Sequence, residues 1–147
     1  MNFSKNFTFE ELIVTEQPYP NYPSGEYEVM NLFYLSNYLL QPIRDKFNAL
    51  KINSGYRSEK VNSVIGSKPL SQHRSGAAAD FVPVDANIET VFDWCVKNLI
   101  FGQCILETRN DVQLIHISLV RLNKPNQEAF MSPDKDTYIP YKPILNV

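Results

Sequence analysis

Six consecutive residues, Leu114-Ile115-His116-Ile117-Ser118-Leu119, limit what this chain can become more than any other stretch. On a β-strand side chains alternate between two faces, so Ile115, Ile117 and Leu119 share one face and Leu114, His116 and Ser118 the other. The aliphatic face needs a core to cover it. The opposite face carries an imidazole on a rigid backbone and looks into a cleft or into solvent.

Helical and strand-like segments are interleaved along the rest of the chain. Thr8 followed by Glu11 has the reciprocal arrangement that satisfies orphan amides at a helix start. Pro18, Pro20 and Pro23 mark a loop. Over residues 26–50, Val29, Phe33, Leu40, Ile43 and Phe47 recur at three- and four-residue intervals, with Ser36 the one polar member, which predicts the longest helix. Pro42 inside it predicts a kink near Leu39 or a break into two helices. A short strand is expected over residues 50–54, ending at Gly55, and a small helix over 58–65 with Gly66 as its stop. Residues 78–84 read as a strand, 87–99 as a helix, and 101–107 and 112–120 as two further strands. The expected fold class is α+β, a small mixed or antiparallel sheet packed against helices. After Leu122 the apolar period disappears among Pro125, Pro133, Pro140 and Pro143. A single domain over residues 1–147 is expected, its core at about 5–120, with residues 121–147 wrapping the surface.

Composition excludes several roles. The chain has 147 residues and a net charge of −2, its 14 basic residues are scattered, and no nucleic-acid partner is expected. Its apolar runs fall far short of the roughly 20 residues of a membrane helix. The first residues lack the charged start and apolar middle of an export signal, so the chain is expected in the cytoplasm as synthesised. Cys95 and Cys104 lie among apolar neighbours and read as buried free thiols. A monomer is expected.

Only two histidines occur, His73 and His116. His73 lies in Ser71-Gln72-His73-Arg74-Ser75-Gly76-Ala77-Ala78-Ala79-Asp80, seven positions before an aspartate. An extended strand would separate the two side chains by about 23 Å and a straight helix by about 10 Å. A turn at Ser75-Gly76 brings them together, because glycine accepts backbone angles closed to other residues. Two His and one Asp leave a fourth tetrahedral position open, as catalytic zinc sites do, and zinc lowers the pKa of water to about 7. The expected metal ligands are therefore His73, Asp80 and His116, and the expected cofactor is Zn2+.

A metal-activated water at such a site calls for a carboxylate that takes its proton and passes it to the leaving group. If the last two strands turn at Asn110-Asp111, Glu107 pairs with Leu114 and shares the face of His116; a three-residue loop would flip it away. Arg57, in Ser54-Gly55-Tyr56-Arg57-Ser58, follows a strand, where it could clamp a carboxylate in bidentate fashion or stabilise an oxyanion.

In order along the chain, Ser54-Gly55-Tyr56-Arg57-Ser58, then Ser71, His73, Gly76 and Asp80, then Glu107 and His116-Ile117-Ser118 resemble the M15 peptidase family, nearest its small phage and bacterial members. Phe7-Thr8-Phe9-Glu10-Glu11-Leu12 and Leu40-Gln41-Pro42-Ile43-Arg44-Asp45 extend the resemblance over roughly residues 5 to 120. It implies zinc on His73, Asp80 and His116, acid or base work by Glu107, and substrate binding by Arg57. Ser71, Gln72 and Ser118 are further expected substrate contacts. The implied fold is that of D-alanyl-D-alanine carboxypeptidases and the hedgehog signalling domain, with zinc in a cleft on the sheet. Leu114 stands where members often carry Trp, and Gln113 where some carry Glu, which leaves Glu107 as the nearby carboxylate.

The implied activity is zinc-dependent hydrolysis of peptidoglycan peptide bonds, as a D-Ala-D-Ala carboxypeptidase or a stem-peptide endopeptidase. A chain without an export signal would reach the wall if a phage holin or lysis released it. The alternative is a non-catalytic binding or virion-structural module of the same fold, for which Glu107 would have no work.

Overall fold

The strand that carries His116 lies inside a six-stranded sheet, in a computed structural model that describes residues 1–143. The strands are β1 (Leu50–Ser54), β2 (Ala78–Pro83), β3 (Gln103–Arg109), β4 (Val112–Ser118), β5 (Glu128–Asp134) and β6 (Thr137–Pro140). They lie side by side in the order β1-β2-β4-β3-β5-β6. Neighbours are antiparallel except β3 and β5, which are parallel, so the fold is α+β with a mixed sheet.

Alternation decides which face of the sheet is covered. Ile115 and Ile117 are fully buried, and so are Ala79 and Phe81 of β2 and Cys104 of β3. The α-helices are α1 (Phe9–Leu12), α2 (Glu26–Leu35), α3 (Gln41–Phe47), α4 (Glu59–Val64) and α5 (Ile88–Asn98), and α2, α3 and α5 cover these residues with Leu32, Leu35, Ile43, Val91, Phe92 and Cys95. Each large aliphatic or aromatic side chain buried this way contributes roughly 1.5–3 kcal/mol relative to exposure. Cys95 and Cys104 are buried free thiols, as their apolar neighbours suggested. Among the described residues no helix is long and apolar enough to cross a membrane.

The long helical segment is interrupted near its proline. Between α2 and α3 residues Ser36–Leu40 form a π-helical turn, and Pro42 is the second residue of α3. Proline lacks an amide and its ring crowds the carbonyl four residues back; widening the preceding turn relieves both. The buried face also differs from the expected one. Phe33 is 43% exposed, and Leu32, Leu35 and Leu39 are buried with Ser36, Leu40 and Ile43. Buried Ser36 donates to the Ser4 hydroxyl at 2.6 Å, and Ser4 donates to Gln41 Oε1 at 2.9 Å, which ties the N-terminal segment to the bend.

The C-terminal segment corrects the sequence reading. It does not merely wrap the surface: β5 pairs with β3 along the sheet and β6 pairs with β5. The signal was weak because β6 is exposed throughout and Pro133 interrupts β5. Pro133 sits where the β5–β6 register shifts, between Met131 and Asp134, and there its missing amide removes no ladder bond. Residues 144–147 of the expected tail lie outside the described residues.

Candidate metal centre

Two of the expected ligands face each other across adjacent strands. Asp80 of β2 is the register partner of His116 of β4, a pairing that sets Cβ atoms about 4.5–5.5 Å apart. His116 Nδ1 lies 2.9 Å from Asp80 Oδ1.

His73 arrives from a turn. Residues Gln72–Ser75 form one turn of 3₁₀-helix, started by Ser71, whose hydroxyl accepts from the His73 amide at 3.3 Å. Gly76 ends it with φ of +74°, and a Cβ there would lie 2.5 Å from the Glu28 carbonyl oxygen. Both demands explain a glycine at this position. The chain then reverses into β2, and His73 Nε2 comes within 3.2 Å of Asp80 Oδ1.

The three side chains therefore offer ligand atoms within 4.8 Å of one another. Bonds of about 2.0–2.1 Å to a tetrahedral zinc separate ligand atoms by about 3.3 Å, close to the 2.9 and 3.2 Å seen around Asp80 Oδ1. Second partners fix two of the three. Buried His73 accepts its orientation from Gly55, whose carbonyl takes the Nδ1 proton at 2.7 Å and leaves Nε2 as the free lone pair. Asp80 Oδ2 accepts from Arg57 Nη2 at 3.0 Å, which keeps Oδ1 toward the histidines. Such outer contacts set tautomer and ring direction at metal sites.

Protonation suits a cation. Burial pushes the His73 pKa down, against the pull of Asp80. Burial alone would raise the pKa of Asp80, but the two histidines outweigh it and hold the carboxyl well below the usual carboxylate range. An ionised carboxylate is the state a metal ligand requires. The donor set and its spacing fit zinc.

Glu107 lies on the same face. The β3–β4 connection has two residues, Asn110 and Asp111, with φ of 51° and 63°, the twin positive angles of a tight hairpin turn. Glu107 consequently pairs with Leu114, and Ile105 pairs with His116, so Glu107 and His116 are diagonal neighbours about 7–8 Å apart. Burial and then the Asp80 carboxylate raise the Glu107 pKa, while His116, Arg109 and Arg57 oppose the rise. Its nearest ionic partner, Arg109 Nη2, is 4.0 Å from Oε2.

Arg57 is mostly committed to protein. Nε donates to Ser54 Oγ at 2.9 Å and Nη2 to Asp80, which leaves Nη1 as the guanidinium nitrogen without a partner among the described residues. Burial lowers its pKa, and Asp80 and Glu107 offset that; arginine remains a cation in any case.

The remaining expected contacts divide. Ser71 caps the His73 turn, and next to it Gln72 Nε2 is buried without an acceptor among the described residues. Ser118 is not brought to the cleft: it is fully buried and its hydroxyl accepts from the Gln103 amide at 2.9 Å. Sequence reasoning had no role for Ser54, for the Gly55 carbonyl or for Arg74, which donates to the Arg57 carbonyl at 2.9 Å. Ser54 and Gly55 stood beside Arg57 in the motif, but only the fold shows which of their atoms are used.

A family model described as Peptidase M15 matches residues 5–118, well over half the chain and all three clustered residues. No curated protein matches the chain.

Proposed function

The chain belongs to the peptidase M15 family, and on that premise we propose that it is a zinc peptidase that hydrolyses peptide bonds of bacterial peptidoglycan. One observation carries the reading: His73 Nε2 and His116 Nδ1 converge on Asp80 Oδ1 at 3.2 and 2.9 Å, on one face of the sheet. A zinc ion held by these residues supplies Lewis acidity to a carbonyl and acidifies water.

The chain's own residues supply the rest. Glu107 takes the proton of the attacking water and delivers it to the leaving amine, a task suited to a carboxyl whose pKa is raised by burial. Arg57 holds Asp80 through Nη2 and offers Nη1 to a carbonyl or carboxylate oxygen of the substrate. A bidentate clamp is less suited to it, because Nε is spent on Ser54. Gln72 Nε2, a buried donor without a partner among the described residues, is a candidate for a substrate carbonyl. Because β5 extends the sheet beside β3, the C-terminal segment is read as part of one peptidase domain.

Glu107 on the ligand face supports catalysis over an inert module. The test combines elemental analysis with two assays, release of D-alanine from a pentapeptide stem and loss of turbidity of purified walls. One zinc per chain with either activity is expected. Zinc without hydrolysis of any peptide would promote the non-catalytic reading; cleavage of ordinary L-peptides with neither wall reaction would remove the substrate.

A further inference from the structure

We propose that the free edge of β1 is a substrate-binding site beside the metal centre, where an extended peptide arm docks as an added strand. The proposal rests on the peptidase reading and names how that site holds its substrate.

A cleft of about 420 Å³ runs along β1, between residues 14–17 on one side and helix α4 (Glu59–Val64) on the other. Four consecutive residues, Lys51, Ile52, Asn53 and Ser54, line it. Lys51 and Ile52, adjacent and ahead of the register shift at Asn53, point to opposite faces of the sheet, so a cleft that touches both meets the strand's main-chain edge. β1 is the first strand of the sheet, and β2 is its one neighbour among the described residues.

Register identifies the free groups. The Val84 amide donates to the Ala49 carbonyl at 3.0 Å, and the pairs continue as Leu50 with Pro83, Lys51 with Val82 and Ile52 with Phe81. In an antiparallel ladder bonded and non-bonded pairs alternate, so Lys51 bonds to β2 while the N–H and C=O of Ile52 point away from it, into the cleft. Pro83 falls at a non-bonded pair, where it needs no amide.

Both walls carry apolar side chains: on the α4 side Val61 is buried and Ile65, just past the helix, is 42% exposed, and Val14 on the opposite side is 39% exposed. An unpaired edge beside an apolar wall is the arrangement that captures extended peptides: main-chain hydrogen bonds give affinity and alternate side chains meet the wall. Four strand residues at about 3.3 Å each give room for an arm of about four residues.

Continuity with the metal centre fixes the occupant as substrate. Ser54 is the register partner of Asp80, and Arg57, bonded to both, also lines the cleft. An arm paired along β1 therefore ends at the residues proposed to work on the scissile bond.

Binding to the zinc-loaded Glu107→Gln variant, measured by calorimetry, tests this without turnover. The probes are a stem pentapeptide, its C-terminal dipeptide, and pentapeptides each carrying one N-methylated amide. The pentapeptide should bind at least tenfold tighter than the dipeptide, one N-methyl group in the arm should remove that gain, and Ile65→Glu, a change at a half-exposed position that the fold tolerates, should reduce it. Equal affinities, or indifference to every N-methyl group, would overturn the proposal, as would edge pairing between two copies seen as a dimer that peptide does not dissociate. If Glu107→Gln hydrolyses peptide as fast as the parent, the catalytic reading of Glu107 falls, and the same affinity series on the metal-free chain decides the cleft.

Discussion

His73, Asp80 and His116 on one side, and Glu107 on the other, occupy one face of one sheet, yet they are held differently. Asp80 is shared by both histidines and Arg57, and His73 is locked by the Gly55 carbonyl at 2.7 Å. The Glu107 side chain is 18% exposed, and its nearest ionic partner stands 4.0 Å away. Ligands of a cation must be fixed before it arrives, whereas a proton carrier must reach first a water and then an amine. Rigidity on one side and freedom on the other is the arrangement such a division of labour needs.

The largest effect expected is loss of the rigid side. His116→Ala or Asp80→Ala should leave no stoichiometric zinc by elemental analysis and reduce peptide hydrolysis to background; a variant that kept both would dissolve the distinction between the regions. Next comes the Glu107 side. Glu107→Gln should retain zinc and the parent melting temperature while turnover falls by about 100-fold or more, the usual scale for losing a positioned acid or base. A similar loss of zinc in that variant would make Glu107 a ligand rather than a carrier.

A smaller effect separates Arg57 from both. As the outer partner of Asp80, its replacement by Ala should weaken zinc about 10- to 100-fold in a chelator competition, the range for outer-shell partners at metal sites. It should also raise KM for a carboxylate-ended substrate more than for its amide. Equal effects on the two substrates would assign Arg57 to the metal centre alone.

The smallest effect sharpens the Glu107 side. A carboxylate base works only when ionised, and the pKa of Glu107 is raised by burial and then by Asp80. The acid limb of the rate should therefore lie above the ordinary glutamate range, with activity rising as pH climbs through it. Arg109, held by the Ser132 carbonyl at 3.0 Å and hydroxyl at 3.1 Å, favours the ionised form. Arg109→Gln should move the acid limb to higher pH, with kcat at the plateau falling only a few-fold. A limb that stays in place would show that Arg109 merely ties β3 to β5.

These two sides were also unequally legible in the sequence. The hairpin at Asn110-Asp111 was readable because two adjacent turn-formers between alternating strands allow few geometries, and it fixed the face of Glu107. The His73–Asp80 spacing was readable because the glycine at 76 permits the one reversal that joins them. Arg57 was recognisable only as a charge near a cleft: Asp80 meets it through the pairing of β1 with β2, and Ser54, three residues away, shows its hydroxyl as a partner only once the turn is folded. Ser118 shared the strand parity of His116, but parity gives a face and not access, and β3 covers it. The C-terminal strands escaped because β6 buries nothing and β5 gains its stability from pairing with β3, which no local pattern records.

Diffraction from crystals of the zinc-loaded chain at the zinc absorption edge tests the central claim most directly. One anomalous peak is expected per chain, about 2.0–2.2 Å from His73 Nε2, Asp80 Oδ1 and His116 Nδ1, with Glu107 on the same side of the sheet and outside the ligand sphere. A peak elsewhere, or no peak with Asp80 bound only to Arg57 and the two histidines, would contradict it.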